Sequence, residues 1–240
     1  MPAKQRTKTK RRHPIDASLM VPIEPLTENQ KRVFEAWDEG KHLFVYGAAG
    51  TGKTFVALYK ALSSCLKDNP DYDNVYIVRS LVATREIGFL PGDHEDKSSL
   101  YQIPYKNMVK YMFEMSSDQE FEALYGALKG QETIKFWSTS FLRGVTLDNA
   151  VIIIDEMQNL NFHELDSIIT RVGENTRIVF CGDAMQSDLT KTNEKNGIHD
   201  FMRILELMED DFSLIEMGID DICRSGLVRN YLIAKDSIKN

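Results

Sequence analysis

The sequence predicts an α/β fold in which a mostly parallel sheet lies between two layers of helices. Three observations predict it. Apolar, β-rich runs alternate with helical patterns, each run ends in small, polar or charged residues, and one run is four consecutive β-branched residues, Val151, Ile152, Ile153 and Ile154. That is how strands buried on both faces and joined by crossover helices read. The strands are expected at 42–46, 75–78, 134–137, 151–154, 178–181 and 213–216, with the fourth central.

Helical patterns fill the intervals at 28–37, 53–66, 103–115, 162–172 and 198–209, and a last one covers 225–233. The first follows Pro25-Leu26-Thr27, and Thr27 with Gln30 has the spacing of a capping box. The second follows a glycine-rich turn. Residues 82–130 are the least orderly, with Pro91-Gly92-Asp93 and a Tyr/Met-rich segment containing Tyr101, Tyr105, Met108, Tyr111, Met112 and Met115. They read as an excursion from the sheet. Met108, Met112 and Met115 fall at i, i+4, i+7, the pattern of one buried helix face, while the tyrosines also have the chemistry to stack on bases.

Composition bounds the function. The 240 residues are 42% hydrophobic and 27% charged, an ordinary globular mixture sufficient for one domain with its own core. Cys65, Cys181 and Cys223 are far apart and form no C-x-x-C pair. They signal neither a disulfide framework nor a zinc site, and a reducing, cytoplasmic setting is expected. His94-Glu95 and His163-Glu164 do not extend to H-E-x-x-H, so catalytic zinc is not indicated. No apolar run reaches the roughly 18 residues of a membrane helix, and no secretory h-region follows the N-terminal cations; no membrane association is expected. The net charge of −7 is uneven, because residues 1–13 hold six Lys/Arg and no acid, leaving 23 basic against 36 acidic residues in the rest. Residues 1–21 read as a basic disordered arm on an acidic body at 22–240. Such an arm either reaches phosphate backbones by counterion release or is a solvated tail.

The chemistry concentrates in two places. Gly47-Ala48-Ala49-Gly50-Thr51-Gly52-Lys53-Thr54 fits G-x-x-x-x-G-K-[ST] between a strand and a helix. There the glycines let backbone N–H groups curl around phosphate oxygens, Lys53 contacts the outer phosphates and Thr54 offers a hydroxyl to magnesium. A triphosphate site of this kind takes a second acidic element at the end of a neighbouring strand. Asp155 and Glu156, after 151–154, supply it: Asp155 for magnesium, Glu156 as general base on an attacking water. The bland alternative makes Glu156 a solvated loop acid.

Weaker candidates surround these. Gln186, after 178–181, is either a γ-phosphate or water contact or an ordinary turn residue. Gln30 either reads an adenine edge or only ties up a helix start. Arg224, and Arg229 beyond it, are phosphate-reaching arginines, in one version supplied to a neighbouring subunit, or surface ion-pair partners.

These motifs and their order resemble the PhoH family of phosphate-starvation-inducible ATPases, related to the superfamily 1 helicase core. The resemblance covers residues 22–235. It rests on 25–30, on the phosphate loop, on Gly88-Phe89-Leu90-Pro91-Gly92-Asp93, on Arg143-Gly144 with Thr146-Leu147, on 154–159, on Gly182-Asp183 with Gln186, and on 221–225 with Leu227-Val228. It departs from the family pattern at Met157, Ala184 and Ser225. What the resemblance implies is a three-layer, RecA-like phosphate-loop NTPase using ATP and Mg2+, with Gln186 as γ-phosphate sensor and Gln30 as adenine reader. It further implies association with single-stranded RNA, a helicase-like activity, a homo-oligomer such as a hexameric ring, and a compact form frequent in bacteriophage genomes. Nuclease activity is not expected, because no acidic quartet of a PIN domain precedes the motor region. The rival reading is a slow ATP-dependent switch that grips a protein partner without strand separation.

Overall fold

The computed structural model describes residues 15–80, 94–142, 144–183 and 192–239. Six strands form one sheet: β1 (His42–Gly47), β2 (Asn74–Arg79), β3 (Ile134–Ser138), β4 (Ala150–Asp155), β5 (Arg177–Gly182) and β6 (Phe212–Met217). Their order is β3-β2-β4-β5-β1-β6, and every pairing is parallel. The β-branched run is central as expected, since β4 lies between β2 and β5 and is buried along its whole length. Its side chains alternate between two cores: Val151 and Ile153 join one, Ile152 and Ile154 the other. A period-2 strand covered on both faces must do this.

The first face is covered by α1 (Glu28–Asp38), α2 (Lys53–Leu66), α3 (His94–Met112) and α4 (Asp118–Gly130), the second by α6 (Phe162–Ile169) and α7 (Thr192–Glu206) with the short α5 (Thr139–Leu142). A last helix, α8 (Gly226–Lys239), follows β6. Among the described residues no helix is long and apolar enough to cross a membrane.

Three expectations need correction. The described part of the crossover from β2 to the adjacent β3, residues 94–130, is a pair of helices: α3 packs on α2, and α4 on α3 and β3. Residues 81–93 lie outside the described residues. Helix α3 also begins nine residues before the expected start and runs through Pro104, although proline disfavours helix in the residue before it. Met112 is buried and Met108 and Met115 both pack against the same core, although Met115 lies beyond the helix end. Finally, Ile15 and Met20 are buried in the first core, and the Val21 amide donates to the Met112 carbonyl at 2.8 Å. The folded body therefore includes residues 15–21, ahead of the boundary expected at 22.

Candidate active site

Because all six strands are parallel, their C-terminal ends share one edge, where Gly47, Arg79, Asp155, Gly182 and Met217 stand together. Ligands of open α/β sheets bind at that edge. The acidic strand is not the immediate neighbour of the loop strand, as the sequence suggested: β5 is interposed between β1 and β4. The span is closed instead by side chains reaching across β5.

The loop leaves β1 at Gly47. Its backbone φ of +117° suits glycine, and a Cβ there would stand 2.2 Å from the Met217 carbonyl oxygen. That same oxygen accepts from the Ala48 amide at 2.7 Å, and the Cys223 amide donates to the Gly50 carbonyl at 3.0 Å, so β6 and the segment after it hold the loop from one side. Thr51 Oγ1 donates to the Ala48 carbonyl at 3.0 Å. Helix α2 then starts at Lys53 with no side chain among the described residues capping its first amides, which leaves N–H groups and the positive helix end facing the loop. Lys53 Nζ donates to the carbonyls of Gly47 at 3.0 Å and Ala48 at 2.6 Å, and to Thr51 Oγ1 at 3.3 Å. Burial pushes the Lys53 ammonium below its ordinary pKa, and the nearby carboxylates of Asp183, Glu156 and Asp155 pull the other way.

Thr54 Oγ1 donates to Asp155 Oδ1 at 2.7 Å, joining the end of the loop to the end of β4. The second carboxylate oxygen, Oδ2, accepts from the Tyr105 hydroxyl of α3 at 2.6 Å. Glu156 follows in a left-handed conformation, φ +53°, a strain of about 1–3 kcal/mol for a non-glycine residue that such sites repeatedly carry. Its carboxylate accepts from Gln158 Nε2 and has the Arg79 guanidinium at 3.9 Å. Gln158 Oε1 in turn accepts from the Asp183 amide at 3.0 Å. A Cβ on Gly182 would come within 2.3 Å of that Gln158 oxygen, so the end of β5 has to be bare for the bridge to form.

At the other end of the loop, Gln30 is buried and its carboxamide spans two backbones. Oε1 accepts from the Leu26 amide at 2.8 Å, and Nε2 donates to the Thr51 carbonyl at 2.9 Å, with Cys223 Sγ at 3.1 Å. Only half of a capping box forms, because Thr27 Oγ1 accepts from the Gln30 amide while the Gln30 side chain serves Leu26 and the loop. Asp221, buried after β6, accepts from Asn29 Nδ2 at 2.8 Å and from the Gly218 amide at 2.9 Å. Burial alone would raise its pKa, but these donors and Thr27 outweigh it and hold the carboxyl below its ordinary range. The Arg224 side chain is exposed and its stem lies over Gly50, where an added Cβ would be 3.1 Å from Cγ. Arg229 lies in the first turn of α8.

The structure thus brings Lys53, Thr54, Asp155 and Glu156 together, and sets Gln30 and Arg224 against the loop. Gln186, Arg143 and the stretch 88–93 lie outside the described residues. Sequence reasoning missed Arg79, Tyr105, Gln158 and Asp221 as members of this edge. Gln158 and Asp221 stood inside quoted motifs, whereas nothing local marks Arg79 or Tyr105, which arrive through strand order and helix packing.

A parallel α/β sheet with a glycine-rich loop from strand to helix, and an Asp-Glu pair on a strand two places away, defines a phosphate-loop NTPase fold. The chain belongs to the PhoH family, whose model, described as PhoH-like protein, matches residues 22–235. It is 31% identical over 213 residues to a PhoH-like protein of Mycobacterium leprae, covering 88% of this chain and 58% of that one. Protein PhoH of Escherichia coli K12 is 31% identical over 216 residues, covering 89% and 58%. A PhoH-like protein of Bacillus subtilis is 31% identical over 219 residues, covering 88% and 63%. The chain therefore spans somewhat over half the length of these relatives. Among solved structures, the large terminase of a thermophilic bacteriophage in complex with ADP aligns with TM-score 0.48 and 11% identity, covering 88% of this chain and 50% of that one. The Pyrococcus furiosus Hef helicase domain aligns with TM-score 0.45 and 11% identity, covering 82% and 39%.

Proposed function

We propose that this protein is a Mg2+-dependent ATPase whose site is the edge just described. One observation carries the reading: Thr54 Oγ1 meets Asp155 Oδ1 at 2.7 Å, so the phosphate loop and the acidic strand converge at a single point. A hydroxyl and a carboxylate are hard oxygen donors, which suits Mg2+, an ion that keeps several waters and takes one or two protein oxygens beside substrate phosphates. Bound there, Mg2+ neutralises charge on the phosphate oxygens.

The loop amides from Ala48 to Thr54 and the N-terminus of α2 hold the phosphates, and Lys53 turns from the loop carbonyls to the outer phosphates. Glu156 orients and deprotonates the attacking water. Gln186 senses the γ-phosphate, Gln30 stands at the adenine end, and Arg224 reaches phosphate over Gly50. The domain is one motor unit with the basic arm before it. Family membership supports ATP as the nucleotide. Single-stranded RNA as partner and a ring of identical subunits are part of the proposal. The arm's cations support the first, and the exposed side chains of Leu227, Tyr231 and Ile238 on α8 support the second.

A second reading is favoured by the state of Glu156. Its carboxylate is already engaged by Gln158 and faced by Arg79, as in a slow switch that grips a protein until a partner frees the base. Steady-state ATP hydrolysis with Mg2+, with and without single-stranded RNA, separates the two. Stimulation by RNA supports the motor. Slow turnover that RNA leaves unchanged supports the switch, and no ATP binding at all refutes both.

A further inference from the structure

The crossover between β2 and β3 touches both acids of the candidate site through two tyrosines one turn apart on α3. Tyr105 donates its hydroxyl to Asp155 Oδ2 at 2.6 Å, and Tyr101 lies under the Arg79 guanidinium, 5.8 Å from its ring centroid, while that guanidinium is 3.9 Å from Glu156. Tyr105 is 2% exposed and its ring packs on Phe136 of β3 at 5.6 Å between centroids. The hydroxyl has little freedom to leave. Pro104, just before it, lies inside the continuous helix α3 and has no N–H to give the preceding turn.

We propose that Tyr105 is a positioning residue that holds the Asp155 carboxylate in the orientation magnesium requires, making α3 the element through which the helix pair 94–130 acts on nucleotide binding. The inference rests on the Mg2+-nucleotide reading above. A carboxylate has about four lone-pair sites, and here Thr54 fixes one oxygen while Tyr105 fixes the other, so the plane of the group is set from two helices. Loss of such an outer partner weakens metal affinity by about 10–100-fold where it has been measured in metal sites. A displacement of α3 that lengthened this bond would have the same effect, which gives whatever binds the crossover a grip on the site.

The structure also supplies a control. Tyr125, on α4, is a buried tyrosine whose hydroxyl has no hydrogen-bond partner among the described residues, so Tyr125→Phe removes the same atom without touching Asp155. The experiment is a Mg2+ titration of the binding of a fluorescent ATP analogue to the full chain and to Tyr105→Phe and Tyr125→Phe, with the no-metal affinity measured alongside. Tyr105→Phe should raise the Mg2+ concentration for half-maximal binding about 10-fold or more, with the metal-free affinity within about twofold, and Tyr125→Phe should match the unmodified chain. A Tyr105→Phe titration that overlays the unmodified one overturns the proposal. If the unmodified chain binds nucleotide without any dependence on Mg2+, the ATPase reading and this inference fall together. A second measurement reads the tyrosine hydroxyl itself. The near-ultraviolet difference spectrum of the unmodified chain on adding Mg2+ and nucleotide should contain a tyrosine band that Tyr105→Phe removes, and a spectrum lacking it overturns the proposal.

Discussion

Replacing Gly47 by alanine tests the geometry of the phosphate loop. The new methyl would stand 2.2 Å from the Met217 carbonyl oxygen and 2.9 Å from its carbon, on a backbone with φ of +117°. An ordinary carbon–oxygen contact is about 3.3 Å, so the loop and the end of β6 must separate by roughly 1 Å. That movement breaks the Ala48–Met217 hydrogen bond at the same oxygen. The backbone conformation costs about 1–3 kcal/mol, the overlap about 1–3 kcal/mol and the lost bond about 0.5–1.5 kcal/mol. A total of about 2.5–7.5 kcal/mol lowers the Tm of a chain this size by about 5–30 °C. Gly126→Ala is the control, because its added Cβ meets nothing within 4 Å in the interior of α4; there a gain of about 0.5–1 kcal/mol is expected. Thermal unfolding of the two variants beside the unmodified chain is the assay. A Gly47→Ala protein that melts with the unmodified one would refute the close approach of β6 to the loop.

Other outcomes follow from the same geometry. Lys53→Ala should weaken ATP binding by about 10–100-fold, the worth of charge-assisted contacts to the outer phosphates, as read by equilibrium titration. His42 is held below the ordinary imidazole pKa by burial, then by the Arg177 charge, and its Nδ1 accepts from the Ile178 amide at 3.2 Å. The unfolded chain then binds this proton more readily, so stability is lost as pH falls below about 6.5 towards the lowered folded value. His42→Gln should lose less stability than the unmodified chain between pH 7 and pH 5 in denaturant titrations. Deleting residues 1–13, with their six cations, should make the salt dependence of RNA affinity shallower by up to about 4 in log–log slope. An unchanged slope makes the segment a tail.

The strands were legible because burial on both faces leaves near-continuous apolar runs, and each of the six is found within a residue or two of its expected place. Helix α4 was not read, although its signals are present. Ser117 caps it by accepting from the Glu120 amide, and Phe121, Leu124, Tyr125 and Leu128 repeat at i, i+3, i+4, i+7. The disorderly stretch before it hid that periodicity. Lys53, Thr54, Asp155 and Glu156 were legible because contiguous motifs carry them. Arg79 and Tyr105 were not, since strand order and helix docking bring them to the acids from distant positions. Nor does the sequence reveal that Gln30 spends its carboxamide on Leu26 and Thr51, a choice made by the approach of α1 to the loop.

The most direct test of the central claim compares ATP binding and Mg2+-dependent turnover in the unmodified chain and in Glu156→Gln. The geometry predicts that the variant still binds ATP, because the loop, Lys53 and the Thr54–Asp155 pair are intact, while hydrolysis falls by about 10²–10⁴, the scale of a general base. A Glu156→Gln protein that turns over ATP at the unmodified rate would contradict the assignment of this edge as the site of hydrolysis.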